Sequence, residues 1–424
     1  MRNGVQEIIE SRKVLVEGLS SVTKKTEEEG GCGVLGAAAN FPVEGKHLLP
    51  PLTQMRNRGN GKGGGVALVG LSPEQWGVDQ KLLSEDYILQ IAYLDPSVRR
   101  GVEEEFIHPI FEIHTSQTLS PVGEYRSLGL EVPAPEVQIY FVRPKEAVIR
   151  EFSLKNGFRK LDADQVADEL MYQNSFRLHK KYYASLGEKK ALVLSHGKNM
   201  LNFKIVGYGE QVISVYGLEK TKAHVWIGHH RYPTKGNVWH PGGAHPFIGV
   251  NEALVHNGDF ANYASICDSL AQRNIYPLFL TDTEVSVLLF DLLRRVYGYP
   301  LEYVMEALAP TTDRDFQMLP EEKKRIYKII QQTHIHSSPD GPWFFILASH
   351  ERKHGVYELI GITDTSMLRP QVFALQEGKV KVGAIASEKQ AIDAFFRSLY
   401  EDRKVPCPVA DRYWNARGGS YTDG

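Results

Sequence analysis

Cysteine is scarce: the chain has three in 424 residues, Cys32, Cys267 and Cys407. An odd and widely spaced set offers neither a disulfide framework nor a CxxC metal pair, and it fits a reducing compartment. Long apolar runs are missing as well. None approaches the roughly 18–20 residues that a transmembrane helix needs. Glu7, Glu10, Arg12, Lys13 and Glu17 break up every apolar run near the start, so no secretory signal is expected. Charge of one sign is not in excess either. Forty-nine Lys and Arg against 51 Asp and Glu leave a net charge of −2, which gives no electrostatic case for nucleic acid or a membrane surface. No internal repeat, low-complexity tract or linker-like change of composition divides the chain. What remains is 42 % apolar content, enough for a large core, and the expectation of a cytoplasmic protein.

The first feature with chemical content is Gly30-Gly31-Cys32-Gly33-Val34-Leu35-Gly36. A cysteine opens a small, apolar, strand-like run. Ahead of it, Val5, Ile8, Ile9, Leu15, Val16 and Leu19 have helix-like spacing, followed by the charged segment Lys24-Lys25-Thr26-Glu27-Glu28-Glu29. One reading is an extra helix packed on the domain and a small buried thiol at a strand start. The other is a propeptide, residues 1–31, whose removal frees the α-amino group of Cys32. Such an amine titrates at about 7.7–8.0, so one residue would then carry both nucleophile and general base.

Further along, residues 48–58 read as a helix. The run Gly59-Asn60-Gly61-Lys62-Gly63-Gly64-Gly65 lacks the GxxxxGK[ST] frame and precedes a strand, so it reads as a connection and not a phosphate loop. Residues 137–142 alternate as a strand, 162–185 as a helix, 191–195 as a strand, and 207–217 as a loop with a short helix. A strand is expected over 225–232, helices over 284–297, 320–332 and 387–399, and closely spaced strands over 343–348, 356–362, 372–375 and 380–385. The last residues, 401–424, read as a tail.

Between residues 225 and 284 stand the groups that could serve a nucleophile. Arg231 offers a planar fork suited to a carboxylate. Asp282 can hold an ammonium group, and the two together select an α-amino acid by its charged ends. Asn257-Gly258 supplies a side-chain amide beside a backbone N–H, the parts of an oxyanion hole. Each has a plainer reading: a surface ion pair for Arg231, a hairpin turn for Asn257-Gly258, a helix cap for Asp282. His229, His230, His240, His245 and His256 have no metal-ligand spacing, and His334-Ile335-His336 reads as a surface loop. The substrate expected is glutamine or asparagine.

Taken together, Cys32-Gly33-Val34-Leu35-Gly36, His230-Arg231-Tyr232-Pro233-Thr234, Ala244-His245-Pro246-Phe247, Val255-His256-Asn257-Gly258 and Thr281-Asp282-Thr283-Glu284 resemble the class II glutamine amidotransferases. The likeness extends through Asp340-Gly341-Pro342-Trp343, Thr363-Asp364, Leu368-Arg369-Pro370 and Ala386-Ser387-Glu388. The resemblance implies an α+β fold, the four-layer αββα sandwich of two antiparallel sheets of N-terminal-nucleophile hydrolases. A type-2 amidotransferase domain would span residues 32–400, with a long insertion over about 71–220. It implies that Cys32 attacks the side-chain amide of L-glutamine, that Arg231, Thr234 and Asp282 bind the substrate, and that Asn257 and Gly258 form the oxyanion hole. Lys235 follows Thr234 where several relatives carry His or Asn. Met55-Arg56-Asn57-Arg58-Gly59-Asn60-Gly61 and the long insertion resemble the free-standing amidotransferase subunit of split glutamate synthases. That likeness implies no cofactor in this chain and a hetero-oligomer with a partner subunit carrying FMN and an iron–sulfur cluster, which takes up the ammonia. Two alternatives stay open: a stand-alone amidohydrolase of the same fold acting on another acyl amide, and an unprocessed regulatory or scaffold protein.

Overall fold

A computed structural model describes residues 31–231, 240–366, 371–404 and 406–415. The candidate propeptide up to residue 30, Thr234 with its neighbours, and Leu368-Arg369-Pro370 lie outside the described residues. The strands are β1 (Gly33–Glu44), β2 (Gly64–Leu71), β3 (Tyr87–Tyr93), β4 (Phe111–Leu119), β5 (Glu136–Pro144), β6 (Ala191–Ser195), β7 (Met200–Ile205) and β8 (Lys222–His230). They continue with β9 (Phe247–Ile248), β10 (Glu252–Gly258), β11 (Trp343–Glu351), β12 (Val356–Thr363), β13 (Val372–Gln376), β14 (Val382–Ala386) and β15 (Arg412–Asn415). One sheet has the order β15-β13-β14-β1-β8-β2-β7, a second β12-β11-β10-β9, and a third β4-β5-β3-β6. Their strand pairings are antiparallel.

Alternation along the strands sorts side chains into layers, because successive residues point to opposite faces. Val34, Ala67, Val69, Val225, Ile227 and Ile385 of the seven-stranded sheet form one apolar cluster with Ala253, Val255, Phe344, Ile346 and Ala348 of the sheet β12-β11-β10-β9. The intervening residues, among them Leu35, Ala37, Leu68, Phe203 and Trp226, join a larger cluster with Leu52, Ile213 and Phe395. Those three come from the helices Leu49–Gln54, Gly209–Val215 and Lys389–Arg403. On the second sheet, Leu254, Phe345 and Leu347 join Val285 and Leu289 of the helix Asp282–Asp291. The architecture is therefore mixed helix and antiparallel sheet, α+β.

Several expectations change. Two sheets were expected and the described residues form three; the third arises wholly within residues 71–220, with the helix Ala163–Tyr182 packed on it through Ala167, Met171 and Leu178. The same region also sends β7 into the edge of the seven-stranded sheet, beside β2. The expected tail contains β15, which pairs with β13. His334 is not in a surface loop. It ends the helix Glu321–His334, is buried, and lies 3.2 Å from the hydroxyl of Tyr299. The helix expected over 284–297 is α-helical to Asp291 and continues as a wider π turn, Leu292–Val296. Among the described residues no helix is long and apolar enough to cross a membrane.

Candidate active site

The β1–β8 ladder brings the first pair of groups together. Val34 lies opposite His229 and Gly33 opposite His230, so Cys32 and Arg231 are the next opposed positions beyond the ladder's end. Alternation carries Cys32 to the same face as Val34, and Arg231 to the same face as Ile227 and His229. That is the face turned to the second sheet. His230 points the other way. Its Nε2 donates to the Leu52 carbonyl at 2.8 Å, and its Nδ1 accepts from the Gly209 N–H at 3.0 Å. Both ring nitrogens are used in packing, and burial brings its pKa down to about 4. Of the His230-Arg231 pair, the histidine holds helices to the sheet and the arginine faces the site.

Arg231 is buried, and its own N–H donates to the Gly63 carbonyl at 2.8 Å. Its Nη1 donates to the Gly243 carbonyl at 2.9 Å, which fixes the guanidinium plane. Burial pulls the guanidinium pKa down, while the fields of Cys32, Asp282 and Tyr183 act in the opposite sense. Cys32 and Asp282 are thus both within electrostatic reach of Arg231, although most of the chain separates the first from the second. The Cys32 backbone is held by Ser387, whose Oγ donates to the Cys32 carbonyl at 3.1 Å and accepts from the Val34 N–H at 3.1 Å.

Asn257 and Gly258 end β10, opposite Phe344 and Trp343. Ala253 and Val255 face the first sheet, and Asn257 follows on the same side. Its side chain is buried, with Oδ1 lacking a hydrogen-bond partner. Gly258 has φ +138°, and a Cβ there would sit 1.9 Å from the Pro342 carbonyl oxygen. Both facts demand glycine. The chain turns away at this point, and the Asp259 N–H donates to Pro342 O at 3.1 Å.

Asp282 is the first residue of its helix. Thr281 caps the helix, its Oγ1 accepting from the Glu284 N–H at 3.1 Å. The Asp282 Oδ1 lies 3.5 Å from His256 Nδ1. Burial alone would raise this carboxyl, but the His256 ring and the Thr283 hydroxyl and N–H outweigh it and hold the group below the usual carboxylate range. Thr283 Oγ1 in turn lies 2.7 Å from His245 Nε2, and the His245 ring stacks on His229 with centroids 3.9 Å apart. Burial holds His229 and His245 well below the ordinary histidine pKa, so both are neutral rings. His245 serves packing and hydrogen bonding, and His229 packs against it. Among the described residues no group of three His, Cys, Asp or Glu could hold a metal ion.

The structure sets Cys32 and Asp282 each within the electrostatic reach of Arg231, ends β10 of the facing sheet with Asn257 and Gly258, and leaves Thr234 outside the described residues. Ser387, Thr283, His245 and Glu284 stand in the motifs quoted from the sequence but have no role assigned there, and Gly63, Tyr183 and Lys204 are not singled out as neighbours of the site. Glu284, three residues after the Thr281 cap, carries a readable signature, the threonine–glutamate capping spacing. Lys204 has none, because its place follows from the pairing of β7 with β2 and of β2 with β8. A groove of about 750 Å³ lies elsewhere, between the helix Ala163–Tyr182 and residues 288–297, and none of the sequence-predicted site residues lines it.

No family model matches the chain. An uncharacterized protein of Archaeoglobus fulgidus is 29% identical over 398 residues, 93% of this chain and 92% of its own length. The glutamine–fructose-6-phosphate aminotransferase (isomerizing) of Campylobacter jejuni is 40% identical over 72 residues, 17% of this chain and 12% of that enzyme. Among solved structures, glutamine phosphoribosylpyrophosphate amidotransferase from B. subtilis, complexed with ADP and GMP, aligns with a TM-score of 0.38 and 15% identity. The alignment covers 86% of this chain and 43% of that one, so the chain spans less than half the length of either named enzyme.

Proposed function

We propose that this chain is a class II glutamine amidotransferase that hydrolyses L-glutamine to L-glutamate and ammonia. In this reading the two sheets joined by their shared apolar layer, with helices outside, form the four-layer αββα sandwich of N-terminal-nucleophile hydrolases. Loss of residues 1–31 frees the Cys32 amine, which takes the thiol proton as the sulfur attacks the glutamine side-chain carbonyl. The C–N bond breaks, ammonia leaves with that proton, and water hydrolyses the γ-glutamyl thioester to glutamate. Asn257 and Gly258 stabilise the oxyanion, a contribution of typically 10²–10³ in kcat per donor. Arg231 binds the α-carboxylate, Asp282 the α-ammonium, and Thr234 assists.

The observation that carries this reading is the opposition of Cys32 and Arg231 beyond the β1–β8 ladder, with Asp282 close enough to act on the same guanidinium. A thiol on the sheet face that carries a cation, with an anion in that cation's field, suits a substrate that brings both charges and a cleavable acyl group. The local likeness to an aminotransferase that uses glutamine supports it. As the finer part of the proposal, ammonia passes to a partner subunit of glutamate-synthase type that carries FMN and an iron–sulfur cluster. Cys32, Cys267 and Cys407 do not make a cluster-binding set, so the iron–sulfur cluster is assigned to the partner, and the FMN goes with it on the resemblance alone.

The test uses protein beginning at Cys32. Glutamine turnover well above that of asparagine is expected for the wild type, with loss of turnover in Cys32→Ala. Equal rates in the two proteins would refute the nucleophile. Co-purification with a flavin-containing subunit tests the partner.

A further inference from the structure

A buried glutamate, Glu284, lies two residues beyond Asp282 on the same helix, with a buried lysine, Lys204, in its field, and nothing in the reaction described above uses them. Lys204 ends the inward-facing row of β7, opposite Gly65 of β2, which in turn is opposite His229 of β8. A Cβ on Gly65 would come within 2.0 Å of the His245 carbonyl oxygen, so the glycine lets the His245-Pro246 segment pass between His229 and Lys204. The Lys204 Nζ lies 3.8 Å from the centroid of the Phe247 ring and 5.9 Å from that of Phe279. The charge that reaches it in the favourable sense is that of Glu284.

Glu284 is held by the backbone just before its own helix. Its Oε1 accepts from the Leu278 N–H at 2.6 Å, and its Oε2 from the N–H groups of Phe279 and Leu280 at 2.8 and 3.0 Å. Three bonds to one carboxylate are a strong anchor. They fix residues 278–280, where Leu280 turns with φ +60°, and therefore the point at which Thr281 and Asp282 enter the helix. The Lys204 ammonium faces the ring of Phe279 in the same segment, 5.9 Å from its centroid. A cavity of about 60 Å³ adjoins the pair, lined also by His179, His196 and Asn202. Removing both charged groups from water is costly unless each offsets the other. Burial brings Lys204 down to about pKa 7 and Glu284 up to about 7, and the charge of each acts on the other against that shift.

Resting on the amidotransferase reading, we infer that Lys204 and Glu284 are positioning residues that aim the Asp282 carboxylate at the α-ammonium group of the substrate and thereby set selectivity for a free α-amino acid. Neither touches the reacting amide. Their influence runs through the 278–281 segment to Asp282, and through Thr283 to His245.

The test compares glutamine with 4-carbamoylbutanoate, the same molecule without its α-amino group, in wild type, Glu284→Gln and the double variant Lys204→Met with Glu284→Gln. Wild type is expected to prefer glutamine strongly in kcat/KM. Both variants are expected to raise KM for glutamine by about tenfold or more, a factor equal to ~1.4 kcal/mol, with a smaller fall in kcat. The preference over the deaminated analogue should shrink by the same factor. A general loss of structure would depress both substrates alike and would not move this ratio. The double variant removes both charges together and so avoids stranding one of them. If it folds with wild-type preference, or does not fold, the inference is overturned. Failure of the wild type to hydrolyse glutamine at all would instead refute the amidotransferase reading, whatever the variants do.

Discussion

Cys32 stands opposite Arg231, one step beyond the Gly33–His230 pair that closes the β1–β8 ladder. Cys32 directly precedes β1 and Arg231 directly follows β8, neighbouring strands of one sheet, so their relation is set by register, and a slip of one residue would turn one of them to the helix side. His230 shows the consequence, since it is committed to Leu52 and Gly209 on that opposite side.

From this geometry Arg231→Lys should act on binding. Lysine cannot reproduce a planar fork, and its ammonium would not hold the Gly243 carbonyl in the same direction. KM for glutamine is expected to rise about tenfold or more with kcat less affected, whereas Asn257→Ala should lower kcat by about 10²–10³ with KM little changed. Steady-state kinetics on the two variants checks the assignment. The reverse pattern would exchange the two roles.

Gly258→Ala should damage the fold as well as the reaction. Its φ of +138° and the 1.9 Å approach of Pro342 O leave no room for a methyl group. A loss of at least about 2 kcal/mol is expected, read as a lower Tm and a lower urea midpoint.

Thr283→Val keeps the shape of the side chain and removes its hydroxyl, leaving His245 Nε2 without its 2.7 Å partner. The expected cost is about 1–3 kcal/mol in stability. The Asp282 carboxyl also loses a contact that holds its pKa down. Glutamine KM should therefore begin to rise at a higher pH on acidification than in the wild type, which a pH series of initial rates would detect.

Acid should unfold the protein through its buried histidines. Burial brings His230 and His196 to about pKa 4 from an ordinary 6.5. Between those values the unfolded chain binds protons that the folded one does not, so stability falls as pH drops from about 6.5 to about 4. Above 6.5 both states are neutral at these sites and their contribution is flat. Each ring contributes on the order of 3 kcal/mol across that window. Urea titrations at pH 7 and pH 4.5 measure it, and replacing His196 by a neutral residue should flatten the slope.

Much of the site is legible in the sequence because its residues sit at the ends of strongly patterned elements. The strand expected over 225–232 ends at His230 and so leaves Arg231 just past its edge, and the motif carrying Asn257 and Gly258, read as lying at an element edge, closes β10. Thr281 caps the helix that begins at Asp282. The supporting residues are hidden for a physical reason. Lys204 reaches the site through two strand pairings, β7 to β2 and β2 to β8, and no local pattern encodes such a path. Arg412–Asn415 is short and flanked by polar residues, so it becomes a strand only because β13 offers an open edge. His334 reads as loop because its neighbours are polar, yet Tyr299 and the helix end bury it.

The most direct test is to mix protein beginning at Cys32 with glutamine, quench in acid within the first turnovers, and map the adduct by peptide mass. A single γ-glutamyl group on Cys32, absent from Cys32→Ala, is expected. Steady turnover of glutamine with no adduct on Cys32, or with the glutamyl group on Cys267 or Cys407, would contradict the assignment.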